Sequence, residues 1–82
     1  MRGGSPVLKI EKNGKTNPEQ NQPGSERFLF VLEGQINVNI DERDYPLYSN
    51  NTLYFDASQK HQVINTGESV AKIISVITPV SL

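Results

Sequence analysis

No cysteine occurs in the 82 residues, which excludes disulfides and thiolate metal sites. Histidine occurs once, as His61. No apolar run approaches the roughly 20 residues that a membrane span needs, and no secretory h-region is visible. Charge of one sign is missing too: 8 Lys and Arg against 9 Asp and Glu give a net charge of -1, without the basic block that nucleic acid would require. Strong helix signals are absent. Apolar residues make up only 35% of the chain, little for a lone core, and a chain this short buries only roughly 60 to 65% of its unfolded surface. A partner subunit over an apolar face, or a fold that closes on itself, would compensate. A soluble single-domain protein, cytoplasmic by default, is the expectation. Met1 to Ser5 (MRGGS) reads as a disordered leader or cloning remnant without function, and residues 6–82 as the domain.

What is present is alternation of period two, interrupted by turn residues every eight to twelve positions, the mark of an all-β sandwich or barrel. Val7 to Glu11 reads as a first strand closed by Asn13-Gly14. Thr16 to Ser25 is polar, carries Pro18, Pro23 and Gly24, and should be extended or looped. Arg27 to Glu33 is the most apolar strand, with Phe28, Phe30 and Leu32 on one face and Arg27, Leu29 and Val31 on the other. It joins Gln35 to Ile40 through Glu33-Gly34 and reads as a hairpin. There Ile36, Val38 and Ile40 point one way, while Asn37 and Asn39 point to solvent. Asp41 to Asp44 is a charged turn. Tyr45 to Tyr48 carries Pro46 and is therefore an edge strand. Thr52 to Phe55, His61 to Asn65 and Val70 to Thr78 bring the total to about eight strands.

This pattern resembles the cupin superfamily, small barrels of the jelly-roll or double-stranded β-helix type, over roughly Val7 to Pro79. The family's first motif runs H-x-H, three or four residues, E, six residues, G, and RFLFVLEG matches its end with Gly34 as the closing glycine. The second motif ends in a His and an Asn four positions apart, as His61 and Asn65 do in DASQKHQVIN. The resemblance implies a metal held by the two histidines, the glutamate and the later histidine. Six intervening residues before Gly34, however, place Arg27 at the glutamate position, and counting further back places Gln20 and Gln22 at the histidines. A guanidinium is permanently charged and cannot ligate. It would repel a dication by several kcal/mol, at about 4 Å and an effective dielectric of about 20.

The expectation is therefore a cupin without metal and without catalytic residues. ERFLFVLEG looks most like the metal-free half of two-domain cupins such as ureidoglycine aminohydrolases. It also resembles sensor domains of regulators, although no DNA-binding helix pair accompanies it. Gln20, Gln22, Arg27 and His61 would form a cationic, donor-rich pocket for a small polar or anionic molecule. In the alternative for Arg27 it turns outward or pairs with Glu26, Asp56 or Glu33, side chains fill the barrel, and the domain serves as a dimeric structural module. His61 could serve as acid or base only beside Asp56 or Glu26. A competing reading is a metal-dependent hydrolase, isomerase or oxygenase holding a divalent transition metal with Gln20, Gln22, Glu26 and His61, which needs the strand to slip by one residue. With Phe28, Phe30 and Leu32 facing away from the lumen, a two-fold homodimer is expected, using Val7 to Ile10 and Ile73 to Val80.

Overall fold

The computed structural model describes residues 6–78, so the leader at 1–5 and the end of the expected dimer segment at Val80 lie outside the described residues. Seven strands follow one another: β1 (Val7–Ile10), β2 (Glu26–Glu33), β3 (Gln35–Ile40), β4 (Arg43–Tyr48), β5 (Thr52–Asp56), β6 (His61–Asn65) and β7 (Ala71–Thr78). They form two antiparallel sheets, one ordered β1-β7-β2-β5 and the other β4-β3-β6. Side chains interdigitate between the facing surfaces, as the period-two pattern dictates: Leu29, Val31 and Ile73 from one sheet meet Ile36, Val38 and Val63 from the other, all with no exposed surface. Burying each contributes on the order of 1.5 to 3 kcal/mol, and together they make the jelly-roll core. None of the described residues forms a helix long and apolar enough to cross a membrane.

β2 and β3 are not the hairpin expected from the sequence. β2 pairs with β5 and β7, while β3 pairs with β4 and β6. The chain changes sheets at Gly34, whose φ of 95° follows a register shift between Val31 and Glu33. A Cβ there would lie 3.1 Å from the Ala71 Cα, so only glycine makes this corner without strain. Seven strands among the described residues meet the expectation of about eight, and the polar segment around residues 15–21 lies alongside them. It runs beside β6 through isolated bridges, Lys15 with Ile64 and Glu19 with His61. Pro18 lacks an N–H, so no continuous ladder forms between them.

The charged turn is shorter than the sequence suggests. Asp41 and Glu42 take positive φ, 49° and 68°, the tight twist that suits a two-residue hairpin loop, and Arg43 and Asp44 join β4. The edge position inferred from Pro46 is borne out by β4 closing the three-stranded sheet. Asn37 and Asn39 do face outward, but each donates to Asp44 Oδ1, at 2.9 and 3.0 Å. These bonds, Asn37 first, hold the Asp44 carboxyl below its usual value of 3.8. The stability this gives is complete above the unfolded value and fades as pH falls through the lower folded one. The stability difference between wild type and Asn37→Ala should therefore narrow as pH is lowered from about 5 to about 2, read from urea midpoints. A constant gap would contradict it.

Candidate functional site

The site forms where β2, β6, β7 and the 15–21 segment meet at one end of the barrel. Arg27 faces inward from β2, opposite Phe55 and Ile77, and is only 4% exposed. Its Nε donates to Ser75 Oγ at 3.0 Å. Its Nη1 donates to Glu19 Oε1 at 2.5 Å and lies 3.0 Å from His61 Nε2. His61 is 1% exposed, and its Nδ1 lies 2.8 Å from the Gln59 carbonyl, an acceptor only. The proton must therefore sit on Nδ1, leaving Nε2 to accept from Arg27. The Phe55 ring stands edge-on to the imidazole, centroids 5.0 Å apart at 76°, and fixes its plane.

Glu19 is brought to this cluster by its bridge with His61. The two exchange backbone hydrogen bonds, Glu19 N–H to His61 O at 2.8 Å and His61 N–H to Glu19 O at 2.9 Å, which sets their side chains side by side. Glu19 Oε1 lies 3.4 Å from His61 Nε2. The buried guanidinium is thus balanced by a carboxylate, itself 42% exposed, and the cluster carries no net charge. The expectation of a cationic pocket is corrected on this point.

The structure brings Arg27 and His61 together. Gln20 and Gln22 are exposed, and neither is a hydrogen-bond partner of Arg27 or His61. Glu26 is exposed on the outer face, where the Tyr54 hydroxyl donates to it at 2.5 Å and the phenol is held above its usual range by that bond. The slip that would turn Glu26 inward is therefore absent from β2. Asp56 accepts from the Ser58 N–H and hydroxyl, which lowers its carboxyl from the usual value, and it is neither a hydrogen-bond nor an ion-pair partner of His61. Tyr45, Tyr48 and Tyr54 are exposed.

Glu19, Asn21 and Ser75 were missed. The count from Gly34 failed by one residue, because Gln22-Pro23-Gly24-Ser25 forms a turn. The Ser25 N–H donates to Gln22 O at 3.0 Å and Gly24 takes φ 92°, with proline and glycine in the two central places such a turn favours. That turn absorbs an extra residue and leaves Glu19 and Asn21, not Gln20 and Gln22, on the inward register. Pro23-Gly24 was the signal available. Asn21 Oδ1 is buried without a hydrogen-bond partner among the described residues, which marks an acceptor open to a ligand or water.

A divalent metal does not fit this donor set. The guanidinium already bonds to both Glu19 and His61, where a dication would have to sit. Among the described residues no three His, Cys, Asp or Glu side chains gather as a possible ion site. What the cluster does offer is donors. Arg27 and Ser75 border a cavity of about 220 Å³ with Pro6, Val7 and Leu8. Neither Arg27 Nη2 nor the Ser75 hydroxyl proton has a partner among the described residues.

Asn65, the other residue shared with the second motif, is structural. Its Nδ2 donates to Ile10 O and Ser69 O at 2.9 Å and reaches Glu11 O at 3.2 Å, and its Oδ1 accepts from Gly67 N–H at 2.8 Å. It ties β1 to the β6–β7 turn.

Comparison with known proteins agrees with this architecture. The chain is 28% identical over 74 residues to "Polyketide synthase CurC" of Streptomyces cyaneus, covering 90% of this chain and 48% of that protein. It is 25% identical over 68 residues to "Tetracenomycin polyketide synthase protein TcmJ" of Streptomyces glaucescens, covering 83% and 46%. The chain thus spans about half the length of the curated relatives it matches. The crystal structure of TT1209 from Thermus thermophilus superposes with a TM-score of 0.80 at 21% identity, over 92% of this chain and 70% of that one, and shares the fold. The Cupin_2 family model, described as a cupin domain, matches residues 6–77, and the chain belongs to the cupin superfamily.

Proposed function

We propose that this cupin domain binds a small carbonyl-bearing molecule at the barrel mouth, without a metal and without chemistry of its own. The observation that carries the reading is that two donor-bearing residues, Arg27 and Ser75, line one cavity of about 220 Å³, while Arg27 Nη2 and the Ser75 hydroxyl proton have no partner among the described residues. Glu19 cancels the guanidinium charge, which favours a neutral carbonyl oxygen or a single carboxylate over a phosphate dianion. The walls from Pro6 and Leu8 suit the carbon skeleton of such a ligand. His61 has both nitrogens engaged, so it stands as a positioning group for Arg27 rather than an acid or base. The relatives carrying polyketide synthase names direct the choice of probe towards β-dicarbonyl compounds, the repeating chemistry of a polyketide chain.

The test is a titration with acetylacetone followed by amide ¹H–¹⁵N spectra. Shifts should concentrate at Leu8, Arg27 and Ser75 and saturate in the roughly millimolar range that so small a ligand allows. Ser75→Ala should weaken binding about tenfold, the effect of losing one hydrogen bond to the ligand, and inorganic phosphate should leave the spectra unmoved. Shifts elsewhere, or a preference for phosphate, would refute the reading.

A further inference from the structure

A second cavity, of about 260 Å³, is lined by Pro18, Asn39, Glu42, Lys60, His61 and Gln62. Asn39 and Gln62 are cross-strand neighbours on β3 and β6, one position out of phase with the buried pair Ile40 and His61. Their side chains therefore leave the sheet on the side away from Arg27. The backbone builds the walls. The 15–21 segment takes four steps, Lys15 to Glu19, against three of β6, Ile64 to His61, a bulge that includes Pro18. Opposite it, the Asp41 N–H donates to Lys60 O at 2.9 Å, which sets the β3–β4 loop beside Lys60.

Three observations point to a ligand. Glu42 has φ 68°, in the second central place of a two-residue hairpin loop, where glycine is preferred. A side chain is strained there, and such strain gathers at ligand sites. Glu42 and Lys60 carry opposite charges on one cavity, yet they do not pair, and neither side chain has a partner among the described residues. The lining amides are half used. Asn39 Nδ2 donates to Asp44 Oδ1 at 3.0 Å and Gln62 Nε2 to Thr16 O at 2.8 Å, while Asn39 Oδ1 and Gln62 Oε1 accept from no described residue.

We propose that this cavity binds a free α-amino acid as its zwitterion, at a site separate from the carbonyl site. Lys60 receives the carboxylate. The ammonium carries three N–H donors, and the cavity offers three acceptor groups for them: the Glu42 carboxylate, Asn39 Oδ1 and Gln62 Oε1. A ligand with one charge would leave either Glu42 or Lys60 unmatched. The volume falls below the roughly 300 to 1,000 Å³ of pockets for drug-sized molecules, which restricts the ligand to a small amino acid.

Titration with L-alanine at pH 7, followed by amide ¹H–¹⁵N spectra, tests this. Shifts should saturate in the roughly millimolar range and centre on Asn39, Glu42, Lys60 and Gln62, with Arg27 and Ser75 unmoved. N-acetyl-L-alanine, which lacks the ammonium, and L-alaninamide, which lacks the carboxylate, should each bind about tenfold more weakly or less. Lys60→Gln should weaken L-alanine binding to the same degree. Glu42→Gly relaxes the turn, so it should unfold at the same urea concentration as wild type or higher, while binding L-alanine about tenfold more weakly. No saturable shift, equal binding of either blocked analogue, or full affinity in Glu42→Gly would overturn the proposal. So would a lowered urea midpoint in Glu42→Gly, since a role in folding would then explain the carboxylate's place in the turn.

Discussion

Arg27→Glu is expected to turn the cluster into a zinc site. Glu19 Oε1 and His61 Nε2 are 3.4 Å apart, about the separation of two ligands sharing a tetrahedral zinc with bonds near 2.1 Å. In wild type the guanidinium bonds to both and occupies the space between them. The substitution replaces that cation with a third ligand pointing into the same end of the barrel. Without metal the variant should be less stable than wild type by roughly 2 to 3 kcal/mol, because two carboxylates then share a part-buried site and lose their cation. Zinc in about hundredfold excess over its dissociation constant should restore roughly 2.7 kcal/mol, a rise in Tm on the order of 10 °C for a domain of this size. Arg27→Met should be destabilised without zinc rescue, and wild type should show no zinc-dependent shift. Differential scanning fluorimetry with and without zinc reads all three, and rescue of Arg27→Met would break the argument.

The second large effect is expected at Asn65. Its amide hydrogens and oxygen serve the carbonyls of Ile10, Glu11 and Ser69 and the N–H of Gly67, and the residue is 3% exposed. Asn65→Ala removes those bonds together and leaves several backbone groups without partners inside the structure. At about 1 to 3 kcal/mol for each unsatisfied group, softened where water enters, the loss should be about 3 kcal/mol. That is a large share of the roughly 5 kcal/mol a small domain has available. Asn65→Asp keeps the acceptor for Gly67 but turns a carboxylate towards three carbonyl oxygens, so it should be at least as damaging as alanine. Urea unfolding should show a lower midpoint with an unchanged slope. A loss below about 1 kcal/mol for either variant would mean that the β1 tie is not held through this side chain.

The β architecture was legible because alternation is a local property. Ile36, Val38 and Ile40 declare one face wherever the strand is placed, and Pro46 marks an edge by its missing donor. The path between sheets was not legible. Glu33-Gly34 has the look of a hairpin connection, and only the pairing of β2 with β5 and β7 shows that the chain instead turns a corner there. The site was half legible. Arg27 and His61 follow from strand register, which one motif glycine and one motif histidine pin down. Their carboxylate partner does not, because a single turn at Pro23-Gly24 shifts everything before it by one residue, and in extended chain one residue exchanges inside for outside. That exchange converted an expected pair of glutamines into Glu19 and Asn21, and a pocket of net positive charge into a balanced ion pair. Asn37 and Asn39 were placed on the right face, but their grip on Asp44 depends on the turn at Asp41-Glu42 bringing β4 back in register.

His61 gives its unprotonated nitrogen to Arg27 and not to a metal. Long-range ¹⁵N–¹H correlation of the His61 ring in wild-type protein, recorded at neutral pH with excess zinc, tests it most directly. A protonated Nδ1 is expected, with an Nε2 whose resonance stays where it was before zinc was added. An Nε2 displaced to the range of a metal-bound imidazole nitrogen would contradict it.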